Sequence, residues 1–253
     1  MARLVEKSLE ELELMRVAGR IVAGALSVLR DSVKEGIATQ ELDRIGETFI
    51  RDHGAVPSFK GYHGYPATIC ASVNEEIVHG IPGERCLKAG DIISLDIGAI
   101  WQGYHGDAAI SVAVGEIPEA LQTLMTGTEA ALAAGISECR PGRRLGDVSH
   151  AIERVAREAG LEVIREYGGH GIGRDMHEAP NIRNWGRAST GLRLEQGMTF
   201  CLEPMFTVGG YETLTLEDGW TVVTADGSVS AHFEHALAVM DGEPEVLTSL
   251  KHE

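Results

Sequence analysis

The stretch GIATQELDRIGETFIRDHG, residues 36–54, decides how the chain is read, because GRRLGDVSHAIERVAREAG, residues 142–160, lies over it without a gap. Gly36 and Gly54 meet Gly142 and Gly160, Glu47 meets Glu153, Arg51 meets Arg157, and the apolar Leu42 and Phe49 meet Val148 and Val155. Each copy predicts an amphipathic helix closed by its last glycine. Two more blocks recur in the same order. Leu87 through Asp96 lies over Leu194 through Glu203, and Asp107 through Val112 lies over Glu234 through Val239, with Gly115 over Gly242. Ahead of them, Ser8 and Glu11 form a capping box for a first helix over about 9–30. Three blocks repeated in order predict a duplicated α+β unit, with halves of about 1–117 and 118–253, each running helix, helix, strand, strand.

Strand alternation then places the acids. Between Ile92 and Gly98, Ile93, Leu95 and Ile97 take one face while Ser94, Asp96 and Gly98 take the other. Asp107 shares its face with Ala109, Ser111 and Ala113, and Glu234 with Ala236 and Ala238. Carboxylates beside small side chains leave room for something other than packing, and several converging buried acids need a cation. The overlay puts Asp96 with Glu203 and Asp107 with Glu234, so four acids are expected to meet near a pseudo-twofold axis.

Working outward to the whole chain, 253 residues lie between one domain and two. The 22 basic residues against 38 acidic ones give a net charge of −16, which excludes a nucleic-acid backbone as the main partner. A hydrophobic content of 43% supports a sizeable core. Arg3, Lys7 and several Glu interrupt the first 15 residues, so no signal peptide is expected, nor is there a run of 18 apolar residues to cross a membrane. Cys70, Cys86, Cys139 and Cys201 lie far apart without a CxxC pair, which suits reduced thiols in a cytoplasm.

Several chemistries fail on spacing. The glycines of GGHGIG at 168–173 lack both GxGxxG and GK[ST], so they do not make a phosphate loop. His177-Glu178-Ala179-Pro180-Asn181 begins like HExxH, but Asn181 replaces the second histidine and Pro180 breaks the helix that motif needs. No GxSxG elbow occurs.

What remains resembles the type I methionine aminopeptidases over nearly the whole chain. The resemblance rests on GYHGYP at 61–66, VNEEIVHGIPG at 73–83, the eleven-residue step from Asp96 to Asp107, GGHGIGR at 168–174 and FCLEP at 200–204. It implies a pita-bread fold, two pseudo-symmetric halves around a curved antiparallel sheet covered by helices, forming one catalytic domain over 1–253. It further implies two divalent metals, Co, Mn, Fe or Zn, on Asp96, Asp107, His170, Glu203 and Glu234. A metal-bridged hydroxide would attack the scissile carbonyl, with Glu203 moving the proton, His177 stabilising the tetrahedral intermediate and His79 beside the scissile amide.

The same resemblance implies a methionine pocket of Tyr62, Tyr65, Cys70, Met205 and Trp220, and a monovalent cation, Na or K, near Asn74 and Ser230. Met176 and Ser58 depart from the family, which often has an aromatic residue and a cysteine there. The implied reaction removes the initiator methionine from nascent polypeptide N-termini whose second residue is small. The enzyme would be a cytoplasmic monomer in transient contact with the ribosome, for which Arg140, Arg143 and Arg144 offer a local basic cluster. An X-Pro peptidase or a non-catalytic binding protein of the same fold stand as alternatives.

Overall fold

The computed structural model describes residues 6–249. Its elements run α1 (Leu9–Ser32), α2 (Thr39–Asp52), β1 (Val56–Pro57), a 3₁₀ turn (Tyr62–Gly64), β2 (Ile69–Val73), β3 (Glu76–Val78), β4 (Ile92–Trp101), β5 (Tyr104–Ala113), α3 (Glu119–Ser137) and α4 (Leu145–Ala159). Then follow β6 (Glu162–Val163), β7 (Gly168–Gly171), β8 (Glu178–Arg183), β9 (Thr199–Leu202), β10 (Met205–Thr207), β11 (Thr213–Thr215), β12 (Val222–Thr224), β13 (Ser230–His232), β14 (Glu234–Ala238) and β15 (Glu245–Val246).

The expected helices are present. Ser8 caps α1, its hydroxyl accepting from the Glu11 amide at 3.2 Å while the Glu11 carboxylate accepts from the Ser8 amide at 2.8 Å. α2 and α4 occupy the matched segments, and the glycine that follows or closes each helix, Gly54 or Gly160, takes the left-handed backbone that favours glycine.

The largest sheet runs β1-β4-β5-β14-β9-β7-β8, with β2 also on β4 and β15 also on β14, all antiparallel. The apolar face read from the sequence packs as expected: Ile93, Leu95 and Ile97 join Val22, Leu26 and Leu29 of α1 and Leu42 of α2 in one core. A second core sets Val148 and Ile152 of α4 and Leu132 of α3 against Phe200, Leu202 and Leu237. β13-β10-β6 and β11-β12-β3 form two smaller sheets.

Hydrogen bonding recurs between the matched segments. The Gly36 amide donates to Leu87 O at 2.8 Å and the Gly142 amide to Leu194 O at 2.9 Å, while Gly90 donates to Val114 O at 2.8 Å and Gly197 to Val239 O at 2.9 Å. The last pair differs from the sequence overlay. Val239 answers to Val114 rather than to Val112, so the third block is displaced by two residues. The ladders agree: Asp96 lies opposite Ala109, whereas Glu234 follows directly on the Leu202–His235 pair and so faces Glu203. An even displacement preserves the face, which is why the acids still converge.

Candidate metal centre and substrate pocket

Asp96 on β4, Asp107 on β5, His170 on β7, Glu203 just beyond β9 and Glu234 on β14 all line one cavity of about 210 Å³. Ligand atoms of Asp107, His170, Glu234 and Cys201 lie within 4.8 Å of one another. Two glycines allow β7 to approach so closely. A Cβ on Gly169 would stand 2.2 Å from Cys201 O and one on Gly171 2.5 Å from Ala179 O, so the strand that carries His170 tolerates no side chain at either neighbour.

Three of the acids each keep one oxygen without a partner. Asp96 Oδ1, Asp107 Oδ1 and Glu234 Oε1 are buried without a hydrogen bond. Burial pushes the Asp96 carboxyl up to about 7, and burial reinforced by the neighbouring carboxylates pushes Asp107, Glu203 and Glu234 well above the ordinary range. Burial also holds His170 down to about 4, in the neutral form that can ligate a metal. Its Nδ1 lies 3.0 Å from Gly171 O, leaving Nε2 toward Glu203 Oε1 at 3.5 Å. Orphaned carboxylate oxygens around a neutral imidazole fit divalent cations, which would relieve the mutual repulsion.

Beside the acids lies an apolar lobe. Tyr65, Cys70, Met176 and Phe59 pack together with Tyr62 and Trp220 at its edge. The Tyr65 hydroxyl donates toward Ile69 O and Gly80 O, both at 3.0 Å, which fixes the ring. Met205 is a correction to the expected pocket. It is fully buried on β10 among Ile77, Val78, Ile164 and Val222, and of these Val78 lines the cavity while Met205 does not. The chain leaves the large sheet after Glu203, and Met205 belongs to β10 of the smaller sheet β13-β10-β6.

His79 follows β3 at φ 60, an uncommon backbone for a histidine, and its ring lies between Tyr167 and Trp220 at centroid distances of 6.0 and 6.4 Å. Burial lowers it to about 4. His177, in the loop from β7 to β8, lies 4.1 Å from the His170 ring, with Nδ1 2.9 Å from the Tyr62 hydroxyl.

Three neighbours escaped sequence reasoning. Cys201 shares strand parity with Glu203, a signal that could have found it, whereas His232 ends β13, in a different sheet from Glu234. His105 binds Ser58, Nδ1 to Oγ at 2.9 Å, and that contact leaves no mark in sequence. Asn74 and Ser230 meet through the Ser230 amide, which donates to Asn74 O at 2.8 Å. The basic cluster is already engaged: Arg140 pairs with Glu243 at 2.7 Å, Arg143 with Glu138, and Arg144 donates to Gly191 O. All four cysteines are free thiols, and among the described residues no helix is long and apolar enough to cross a membrane.

Known proteins are similar to this chain. The model of metallopeptidase family M24 matches residues 13–241. Methionine aminopeptidase 1 of Bacillus subtilis is 49% identical over 245 residues, covering 97% of this chain and 99% of its own. The crystal structure of methionine aminopeptidase from Rickettsia prowazekii superposes with a TM-score of 0.96 at 39% identity, covering 98% of this chain and 100% of that one. A prolidase from Pyrococcus furiosus, at 19% identity and TM-score 0.78, shares the fold alone, and this chain covers 66% of it. The pita-bread fold, the converging acids and these matches together place the chain in metallopeptidase family M24, within which it belongs to the type I methionine aminopeptidases.

Proposed function

We propose that this enzyme removes the initiator methionine from nascent polypeptides whose second residue is small. The observation that carries the reading is the cavity itself, in which ligand-type side chains with orphaned carboxylate oxygens adjoin a lobe of Tyr65, Cys70, Met176 and Trp220 suited to a thioether. Asp96, Asp107, His170, Glu203 and Glu234 would hold two divalent cations, Co, Mn, Fe or Zn. Bound there, the cations polarise the scissile carbonyl and acidify water near neutral pH.

Glu203, whose carboxyl is pushed up by burial and by Asp96 and Asp107, is suited to take a proton and return it to the leaving amine. His79, kept neutral by burial, can donate one hydrogen bond near the scissile amide. His177 lies within hydrogen-bond distance of Tyr62 and is thereby oriented to stabilise the tetrahedral intermediate. Tyr62, His79 and His177 crowd the cavity beside the acids and would exclude a large second side chain.

The two halves, about 1–117 and 118–253, act as one catalytic domain, since ligands from both line the one cavity. Na or K would sit by Asn74 and Ser230, supported by their backbone contact. The enzyme would act in the cytoplasm, a compartment that suits its four free thiols, as a monomer that meets the ribosome transiently. Peptide hydrolysis tests the reading: Met-Ala-Ser should be cleaved and Met-Trp-Ser spared, whereas hydrolysis confined to Ala-Pro and Met-Pro peptides would replace it with an X-Pro peptidase.

A further inference from the structure

His232 ends β13 inside the cavity wall, 2% exposed, and its Nε2 is buried without a hydrogen-bond partner. That nitrogen stands 3.8 Å from Glu234 Oε2 and 4.0 Å from Glu203 Oε2, too far for a hydrogen bond to either. His170 mirrors it, with Nε2 3.5 Å from Glu203 Oε1 and 4.0 Å from Asp107 Oδ2. The two imidazoles therefore flank Glu203, one beside each oxygen, and each has a second carboxylate at hand. Bonds of about 2.0–2.2 Å put two ligand atoms of one cation roughly 3 to 4 Å apart, which is the spacing found around both rings.

Position along the chain points to the same residue. Val239 answers to Val114, and His232 precedes Val239 by the same seven residues as Asp107 precedes Val114, although His232 itself lies on β13 opposite Met205. The backbone there is pinned: Ser111 Oγ accepts from the His232 amide and donates to the His232 carbonyl, both at 2.9 Å. A buried side chain on a backbone held in this way, with an unpartnered ring nitrogen near two acids, has no packing task that would account for that nitrogen.

Resting on the reading that the acids hold divalent cations, we propose that His232 is a further metal ligand. It gives the centre one imidazole per cation and shifts its preference toward zinc and iron and away from manganese, since imidazole suits the former and carboxylates the latter.

Metal-stripped protein titrated with Co(II) tests this without recourse to activity. Proton NMR of the loaded wild type should show two strongly shifted imidazole N–H signals, of which His170→Gln removes one and His232→Gln the other. Calorimetry should show one Co(II) site of His232→Gln weakened about 10–100-fold and the preference for Zn(II) over Mn(II) reduced by a similar factor. A single shifted signal at full loading, or unchanged affinities in folded His232→Gln, would overturn the proposal and leave the metal centre intact. Absence of Co(II) uptake by the wild type would instead overturn the metal centre, and the proposal with it. Should His232→Gln not fold, the signal count of the wild type decides.

Discussion

In the metal-free protein, Asp96 should oppose folding, and Asp96→Asn should relieve that opposition in a pH-dependent way. Its folded carboxyl is pushed up to about 7 against an ordinary value near 3.8. Between those values the unfolded chain has released the proton and the folded chain has not, so stability falls as pH rises and levels off above the folded value. At roughly 1.4 kcal/mol per unit, the penalty is about 2 kcal/mol at pH 5 and about 4 kcal/mol at pH 7.5. Sharing of protons with Asp107 and Glu203 makes the larger figure an upper bound.

The raw profile of the wild type would obscure this, because burial holds His79, His105, His170 and His235 down to about 4 and His232 to about 3. Each neutral histidine contributes stability present above the ordinary value of 6.5 and lost as pH falls below it, the opposite slope. Subtracting wild type from variant cancels them, along with any fixed cost of the new amide. The stability of Asp96→Asn relative to wild type, from urea unfolding after chelator treatment, should thus rise by about 2 kcal/mol from pH 5 to pH 7.5. A flat or falling difference would refute the view that the cluster awaits positive charge. Adding Co(II) should reverse the ranking, because the wild type gains linkage stabilisation that the variant cannot match.

Removing the proton carrier or the ligand imidazole, by Glu203→Gln or His170→Ala, should lower turnover of Met-Ala-Ser by orders of magnitude while circular dichroism stays native. Ser58→Ala strips His105 Nδ1 of its hydroxyl partner at 2.9 Å; unfolding free energy should drop by about 1–3 kcal/mol with kcat/KM changed only a few-fold. Gly169→Ala places a methyl 2.2 Å from Cys201 O, so β7 must move off β9 and take His170 with it. Co(II) affinity measured by calorimetry should then fall by at least about tenfold, and an unchanged affinity would show that the close approach does not position the ligand.

Much of this was legible in the sequence because periodicity is a local property. Leu42, Val148, Ile93 and Leu95 declare their faces by spacing alone, and packing agrees. Register is not local. The two-residue displacement of β14 against β5 depends on how the β4–β5 and β9–β14 pairs close, which the overlay of Asp107 on Glu234 could not see. Parity saved the conclusion about the acids, whereas Met205, expected in the pocket from the resemblance alone, is packed among Ile77, Val78, Ile164 and Val222. His232 stands two residues before Glu234, yet a histidine near one acid carries no weight until the fold sets Glu203 beside it and His170 on the other side.

The acids and imidazole that meet in the cavity come from β4, β5, β7 and β14 and from the turn after β9, positions as far apart as Asp96 and Glu234. A cation held by them would clip together distant parts of the chain, closing long loops whose entropy has to be met in any case. The first half supplies only Asp96 and Asp107, too few ligands to keep the ion alone, so that half, severed, should show no metal-induced rise in melting temperature. Metal uptake would then report on completed assembly of the two halves, and a cell short of the ion would hold a pool of this protein more open to proteases at the seam.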